Sequence, residues 1–166
     1  RGYQKRTYVQ GQDLVEMDGL SIQKQVADSY VRLRDEMLEQ DLSLFIASGY
    51  RSSTKQRSLF LEKVGDINTS EILSGIHHDR LEYALERSAL PGYSKHHSGF
   101  AVDFACGKDY VVFGFGFTEC YDWLSKNNFE QAKRFGFIPS YPDNIPNQGP
   151  NPEPWEFVWV GVENIK

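Results

Sequence analysis

The stretch YSKHHSGFAVDFA, Tyr93–Ala105, places two adjacent histidines a short, glycine-containing step before an aspartate in an apolar run. Side chains alternate along a strand, so Ala101 and Asp103 would face one side and Val102 and Phe104 the other. A carboxylate in apolar surroundings raises the free energy unless a cation or hydrogen-bond donors meet it. The segment therefore predicts a strand that delivers Asp103 to a positively charged site.

Helices are predicted on both sides of this strand. Apolar residues recur at helical spacing before it, and Ser/Thr start signals, glycine stops and a possible N-cap at Thr118 mark helix ends. The third region predicts either a helical hairpin or a short helix with a long insertion, ended by Pro91 and Gly92. The four predicted helical regions are 21–39, 51–65, 68–92 and 118–137.

Short strands are predicted at 42–50, 99–105 and 155–161, with a further one at 6–10. Residues 111–117 predict a turn or strand pair, and the proline-rich residues 138–154 predict an irregular loop. Because helices come first and the strands need not be parallel, the predicted fold class is α+β. We expect a single domain at 21–166, a small, mostly antiparallel sheet flanked by helices, after a lead-in segment at 1–20.

The composition of the chain argues against some classes of function. The 166 residues are 40% hydrophobic and 25% charged, with a net charge of -5 and no basic stripe, which argues against nucleic-acid binding. No apolar run approaches the roughly 20 residues that span a bilayer. Since the chain begins at Arg1, we expect it to be a fragment. Cys106 and Cys120 could form a disulfide in an oxidising compartment or remain two buried thiols.

The first candidate cluster is the opening stretch. An imidazole nitrogen of His96 and a carboxylate oxygen of Asp103 suit zinc. Gly99 would let the chain turn tightly, so that the histidine folds back beside the aspartate. On spacing alone, a loop histidine and a capping aspartate are the favoured interpretation.

The second cluster, SGYRSSTKQ at 48–56, follows a predicted buried strand. The Arg51 guanidinium has the shape to bind a carboxylate through two hydrogen bonds. The alternative is that these residues only mark the start of a helix, with Ser53 and Gln56 forming a capping box and Arg51 in solvent.

The third cluster is NPEPWEFVWVG at 151–161, where Glu153 and Glu156 lie on either side of Pro154. Residues three apart on a straight strand face opposite sides, but a turn at the proline would let both carboxylates reach one site. A glutamate beside a metal is the usual base for bound water. The alternative is an exposed acidic turn above a packed Trp155.

Together, and in this order, the three clusters resemble the zinc D-alanyl-D-alanine carboxypeptidases of the VanY type, in the wider group that includes lysostaphin-like peptidases and the hedgehog signalling domain. The resemblance covers roughly 42–161. The family pattern S-x-H-x-x-G-x-A-x-D is matched at every fixed position, by Ser94, His96, Gly99, Ala101 and Asp103. The joint occurrence outweighs the separate alternatives.

The resemblance implies that His96 and Asp103 bind one zinc ion and that Glu153 is the general base. It makes Arg51 a catalytic residue that holds the terminal carboxylate of the substrate. Ser94 and Gln56 would be polar supports in substrate binding. His97 occupies a variable position of the pattern and is left out of the metal shell.

One departure concerns the third ligand. The family has E-x-x-H, and here Glu156 takes the place of the histidine. A His-Asp-Glu shell with an open position is chemically possible. Its two negative charges would make the metal centre less positive, so the metal would lower the pKa of its bound water less. The shell would also favour harder ions such as manganese, calcium or magnesium. We expect Glu156 to be a ligand, with loss of the metal second and rescue by His77 or His78 third.

The implied function is zinc-dependent hydrolysis of the D-Ala-D-Ala, or a neighbouring, bond of a peptidoglycan stem peptide by a monomer in the periplasm or cell envelope. An endopeptidase of the same fold is one alternative. A catalytically silent module that binds cell-wall peptides is another, because Glu156 replaces the histidine. A purely structural metal site is less favoured, since three protein ligands leave one position open.

Overall fold

Strand β4 (Ala101–Cys106) is the apolar run that carries Asp103, and it lies inside a four-stranded sheet in the computed structural model. The structure describes residues 2–6, 13–142 and 144–165. β4 pairs antiparallel with β3 (Leu44–Ser48) on one side and β6 (Glu156–Trp159) on the other, and β5 (Phe137–Pro139) pairs with β6. The order β3-β4-β6-β5, flanked by helices, confirms the α+β prediction.

A separate two-stranded hairpin precedes the first helix. β1 (Leu14–Met17) and β2 (Leu20–Gln23) pair antiparallel, and α1 (Lys24–Leu38) follows directly. The predicted helix at 21–39 is therefore wrong at its start, because residues 21–23 make strand hydrogen bonds. Residues 7–10 of the strand predicted at 6–10 lie outside the described residues, and Arg6 is not in a strand.

The remaining helices broadly follow the predicted regions. They are α2 (Ser53–Val64), α3 (Thr69–Ser74), α4 (His78–Arg87) and α5 (Glu119–Lys133). Thr118 caps α5 by accepting a hydrogen bond from the Tyr121 N–H, and non-helical backbone at 126–129 divides α5 into two parts. No helix in the described part of the chain is long and apolar enough to cross a membrane.

Two loop predictions need correction. β5 begins at Phe137 and extends into the predicted proline-rich loop, because Ile138 and Pro139 pair with β6. Residues 111–117 form no strand pair. Val111 makes an isolated bridge with Cys106, and Phe115–Phe117 form a 3₁₀ turn.

The two faces of β4 have different roles. Val102 and Phe104 are fully buried in the main core, and the Phe104 ring lies 5.2 Å from Phe157 and 5.6 Å from Phe137 between ring centroids. Burying one such side chain stabilises the fold by roughly 1.5–3 kcal/mol. The opposite face directs Asp103 toward the site described below. At the end of β4, Cys106 forms a disulfide with Cys120 of α5.

Candidate metal centre and substrate groove

The sheet register brings the candidate residues together. Asp103 is aligned with Ser48 of β3 on one side and with Glu156 of β6 on the other. His96 comes from a 3₁₀ turn, Lys95–Ser98, directly before β4. Ligand atoms of His96, Asp103 and Glu156 all lie within 4.8 Å of one another, and all three residues are buried.

Gly99 makes the return of the histidine possible. Its φ is +71°, and a Cβ atom at this position would lie 2.9 Å from Cδ2 of Leu14 and 3.2 Å from Cγ of Gln23. A left-handed conformation with close neighbours favours glycine. The turn leaves His96 able to donate from Nδ1 to the Gly49 carbonyl at 2.7 Å, so that Nε2 faces the carboxylates.

The spacing between His96 and each carboxylate fits zinc. Nε2 of His96 is 3.3 Å from Oδ1 of Asp103 and 3.3 Å from Oε2 of Glu156. Ligand atoms about 2.0–2.2 Å from a tetrahedral zinc ion lie roughly 3.3–3.6 Å from one another. Oδ1 of Asp103 is also buried without a hydrogen-bond partner among the described residues. A buried acceptor in this position is suited to a cation.

The other oxygen of Glu156 is held by two residues that the sequence did not indicate. The Ser140 hydroxyl donates a short hydrogen bond to Oε1 of Glu156, and Nζ of Lys95 lies 3.6 Å from the same oxygen. Lys95 also donates to the hydroxyl of Ser140 at 2.8 Å and to its carbonyl at 2.7 Å. These contacts direct Oε2 of Glu156 toward His96.

Arg51 supplies a cation to the site. Its Nη2 donates to Oδ2 of Asp103 at 2.7 Å and lies 2.9 Å from Nε2 of His96, while Nε donates to the Ser48 hydroxyl at 3.1 Å. The side chain also lines the groove above the cluster. Arg51 can therefore interact with the candidate ligands or with an anion in the groove.

The two predicted polar supports differ in position. Ser94 is buried but lines the groove. Gln56 is fully buried, accepts a hydrogen bond from Arg51 at 3.4 Å and donates to the Ala89 carbonyl at 2.7 Å, so its contact with the site runs through the arginine. The capping-box alternative is wrong, because Ser52 is the N-cap of α2.

Glu153 lies beside the cluster. The Glu156 N–H donates to the Glu153 carbonyl at 3.1 Å, which closes the turn at Pro154, and Glu153 lines the groove. Burial, followed by the charges of Glu156 and Asp103, raises the pKa of Glu153 to about 8. The arrangement provides a carboxyl group that can exchange a proton near neutral pH next to the candidate ligands.

The buried charges affect one another strongly. Burial raises the pKa of Glu156, but His96 first, with Lys95 and Ser140, outweighs it and lowers that pKa to about 2. Burial and the charge of Arg51 lower the pKa of His96, but the charge and hydrogen bond of Asp103 together with the hydrogen bond of Glu156 outweigh them and raise that pKa to about 9. Cationic groups are thus strongly favoured between these carboxylates.

The other histidines lie outside the cluster. His97 donates from Nδ1 to the Arg51 carbonyl at 2.6 Å and accepts from the Gly92 N–H at 3.0 Å, so both ring nitrogens are used. Burial lowers the pKa of His97. His77 and His78 lie at the start of α4 and do not belong to the His-Asp-Glu group found in the described part of the chain.

A groove of about 880 Å³ opens above the cluster. Arg51 and Glu153 line it together with an aromatic pair, Phe113 and Trp155, whose ring centroids are 5.4 Å apart. A buried His-Asp-Glu group with an adjacent carboxylate and an arginine at the base of a groove has the features of a metal-dependent hydrolase centre.

Comparisons with known proteins agree with a hydrolase of this kind. The chain belongs to the VanY family, described as D-alanyl-D-alanine carboxypeptidase, whose model matches residues 19–162. The resemblance inferred from the sequence is thereby confirmed.

Two curated relatives are informative. A D-alanyl-D-alanine carboxypeptidase of Enterococcus faecalis (strain ATCC 700802 / V583) is 35% identical over 119 residues, which cover 71% of this chain and 40% of the relative. A bifunctional D-Ala-D-Ala dipeptidase and D-Ala-D-Ala carboxypeptidase, VanXYC of Enterococcus gallinarum, is 30% identical, covering 85% of this chain and 68% of the relative. The chain thus spans less than half of the first relative.

Solved structures share the fold. A mutant of the D,D-pentapeptidase VanY from the VanB-type resistance cassette, in complex with Zn(II), superposes with a TM-score of 0.70 at 30% identity, covering 90% of this chain and 79% of the other. The LdcB LD-carboxypeptidase gives a TM-score of 0.72 at 26% identity, covering 98% and 76%. VanYB in complex with D-alanine-D-alanine covers 90% and 78%, with a TM-score of 0.70 at 30% identity.

Proposed function

We propose that this chain is a metal-dependent carboxypeptidase that removes the C-terminal D-alanine from peptidoglycan stem peptides. The observation that carries the proposal is the convergence of His96, Asp103 and Glu156 at the base of a groove that Arg51 and Glu153 also line. Family membership and a neighbour in complex with D-alanine-D-alanine support this substrate.

The metal ligands in this proposal are His96, Asp103 and Glu156, and the ion is zinc. The distances from His96 to the two carboxylates support the assignment, as do the lack of a hydrogen bond to Oδ1 of Asp103 within the described residues and the Zn(II) complex of a neighbour. A bound divalent ion would supply Lewis-acid activation of water and of the scissile carbonyl. Lys95 and Ser140 support Glu156 as the third ligand, because they hold one of its oxygens and leave the other facing His96.

Arg51 and Glu153 have distinct roles in hydrolysis. The Arg51 guanidinium binds the terminal carboxylate and so places the last peptide bond over the cluster. Glu153 takes a proton from the attacking water as its oxygen bonds to the carbonyl carbon. The C–N bond then breaks, and the same carboxyl group gives the proton to the leaving amine of D-alanine. A raised pKa suits a group that exchanges a proton near neutral pH.

The site of action follows from the substrate. Peptidoglycan lies outside the cytoplasmic membrane, so we assign the activity to the cell envelope. The peptide is the expected partner, and we expect a monomer to suffice because the candidate ligands all come from one chain.

The test is Glu153→Gln, assayed by D-alanine release from a D-Ala-D-Ala pentapeptide. We expect a loss of about 10²- to 10⁴-fold in kcat, because general-base transfer is removed. Zinc binding, measured by calorimetry on the same sample, should be retained. Glu62→Gln, the same change at an exposed position of α2, is the control and should have no effect.

Three outcomes would overturn parts of the proposal. A Glu153→Gln variant with a near-native rate would remove Glu153 from the mechanism. Equal cleavage of a free-acid peptide and its C-terminal amide would indicate an endopeptidase, since Arg51 would then have no terminal carboxylate to bind. A protein that neither binds zinc nor gains thermal stability from it would be a silent peptide-binding module.

A further inference from the structure

The N-terminal residues 2–6 lie along the groove, outside the region that the family model matches. Tyr3, Gln4 and Arg6 all line the groove. The Tyr3 hydroxyl donates to the Leu85 carbonyl at 2.6 Å, and the Arg6 N–H donates to the Gly92 carbonyl at 2.7 Å. These anchors fix the segment against both the helical region and the loop that leads into the motif.

Arg6 differs from the other two cations near the cluster. Arg51 pairs with Asp103, and Lys95 approaches Glu156. Arg6 forms no ion pair with any residue within 2–6, 13–142 and 144–165, and its Nε is buried without a hydrogen-bond partner among those residues. A guanidinium N–H that is withdrawn from water is costly without an acceptor, and here that group is Nε. The groove that it lines is where an acceptor can enter.

The position of Arg6 relates it to the cluster. Its backbone N–H is hydrogen-bonded to the carbonyl of Gly92, two residues before Ser94 of the motif. Arg6 also lines the same groove as Asp103 and Glu156 of the candidate centre. A peptide that occupies the candidate centre would therefore extend within reach of a second cation.

We propose that Arg6 binds a carboxylate on the acyl side of the substrate. This inference rests on the proposed function, in which Arg51 binds the terminal carboxylate on the leaving-group side. Any further carboxylate of a stem peptide then lies on the acyl side, as does the α-carboxylate of the γ-linked D-glutamate. The matching substrate class is a stem peptide in which that group is free rather than amidated.

The experiment uses two pentapeptides, L-Ala-γ-D-Glu-L-Lys-D-Ala-D-Ala and its counterpart with the glutamate α-carboxylate amidated. A hydrogen bond to a charged group accounts for about a tenfold preference or more, so the unmodified chain should favour the free acid by that factor in kcat/KM. Arg6→Met should remove the preference by raising KM for the free acid, with kcat unchanged, since the contact lies away from the reacting bond. Arg6→Lys should retain part of it.

Lys5→Met is the matched control, because Lys5 is exposed and does not line the groove. It should keep the full preference, which separates a local contact from a change in net charge. Equal rates on the two peptides with the unmodified chain, or a preference that survives Arg6→Met, would overturn the Arg6 inference alone. No release of D-alanine from either peptide would instead overturn the proposed function.

Discussion

Asp103 and Glu156 are aligned on neighbouring strands, and both are nearly buried, yet the protein holds them differently. Each carboxylate has one oxygen 3.3 Å from Nε2 of His96, namely Oδ1 of Asp103 and Oε2 of Glu156. The other oxygens differ. Oδ2 of Asp103 accepts a hydrogen bond from Arg51, whereas Oε1 of Glu156 accepts from Ser140 and lies 3.6 Å from Nζ of Lys95.

The difference shows how two like charges can share one buried site. Carboxylates directly opposite each other on adjacent strands repel, and burial increases the penalty. The cation beside Asp103 is Arg51, which also lines the substrate groove, whereas the cation beside Glu156 is tied to Ser140 by two hydrogen bonds. We infer that Glu156 is positioned before any ligand binds and that Asp103 is the group most dependent on a bound cation.

The largest effect should come from removing the charge of Asp103. Asp103→Asn takes away the charge of a candidate ligand whose Oδ1 accepts no hydrogen bond within the described residues. Zinc affinity should therefore fall by more than about 100-fold, the upper range for residues that only orient ligands. Competition with a chromophoric chelator at fixed pH measures the change.

Asp66→Asn, the same substitution at an exposed loop position, is the control and should bind zinc normally. An Asp103→Asn protein whose affinity stays within a few-fold of the unmodified chain would remove Asp103 from the ligand set. The comparison between the two carboxylates would then fail.

A smaller effect is expected at Lys95. Lys95→Met removes a positive charge that offsets the buried carboxylate of Glu156. The free energy of unfolding of chelator-treated protein should therefore fall by about 1–3 kcal/mol. The same change in a Glu156→Gln background should have a much smaller effect, because the charge that Lys95 compensates is absent. Urea unfolding of the four proteins measures the coupling.

An equal loss in both backgrounds would contradict this role. Lys95 also lies 3.5 Å from the Tyr141 ring centroid, and a loss independent of residue 156 would assign its contribution to that cation–π contact. Saturating zinc provides a second test, since a bound cation beside Glu156 should narrow the stability difference between Lys95→Met and the unmodified chain.

The sequence predicted the parts of the fold that depend on local pattern. The alternation around Asp103, the glycine turn and the main helices all reflect nearest-neighbour preferences. The start of α1 and the strand β5 depend on pairing partners elsewhere in the chain, β1 and β6, so local spacing does not specify them. A three-residue strand ending at Pro139 has no periodic signal at all.

The candidate site divides in the same way. His96 and Asp103 belong to one short motif and were identifiable, as was the departure at Glu156. Ser140 lies 45 residues from Lys95 and 16 from Glu156, so its role appears only in the folded chain. Lys95 occupies a variable position of the motif. A basic residue next to a candidate histidine, combined with an acidic third ligand, was the available signal.

The smallest effect should come from Ser140. Ser140→Ala removes the hydroxyl that donates to Glu156 and accepts from Lys95, but Lys95 keeps the Ser140 carbonyl at 2.7 Å, so the cation stays in place. We expect a loss of about 0.5–1.5 kcal/mol in the free energy of unfolding, the usual net contribution of one hydrogen bond, and less than a tenfold loss in zinc affinity.

Ser58→Ala, at an exposed position of α2, is the control for the serine-to-alanine change itself. A Ser140→Ala loss as large as that of Lys95→Met would mean that the hydroxyl, rather than the charge, holds Glu156. Glu156 would then be oriented by a neutral donor, and the cation would no longer explain why this carboxylate can occupy a position that is a histidine in the family pattern. The predicted order, with Lys95 above Ser140, is what separates charge compensation from simple orientation.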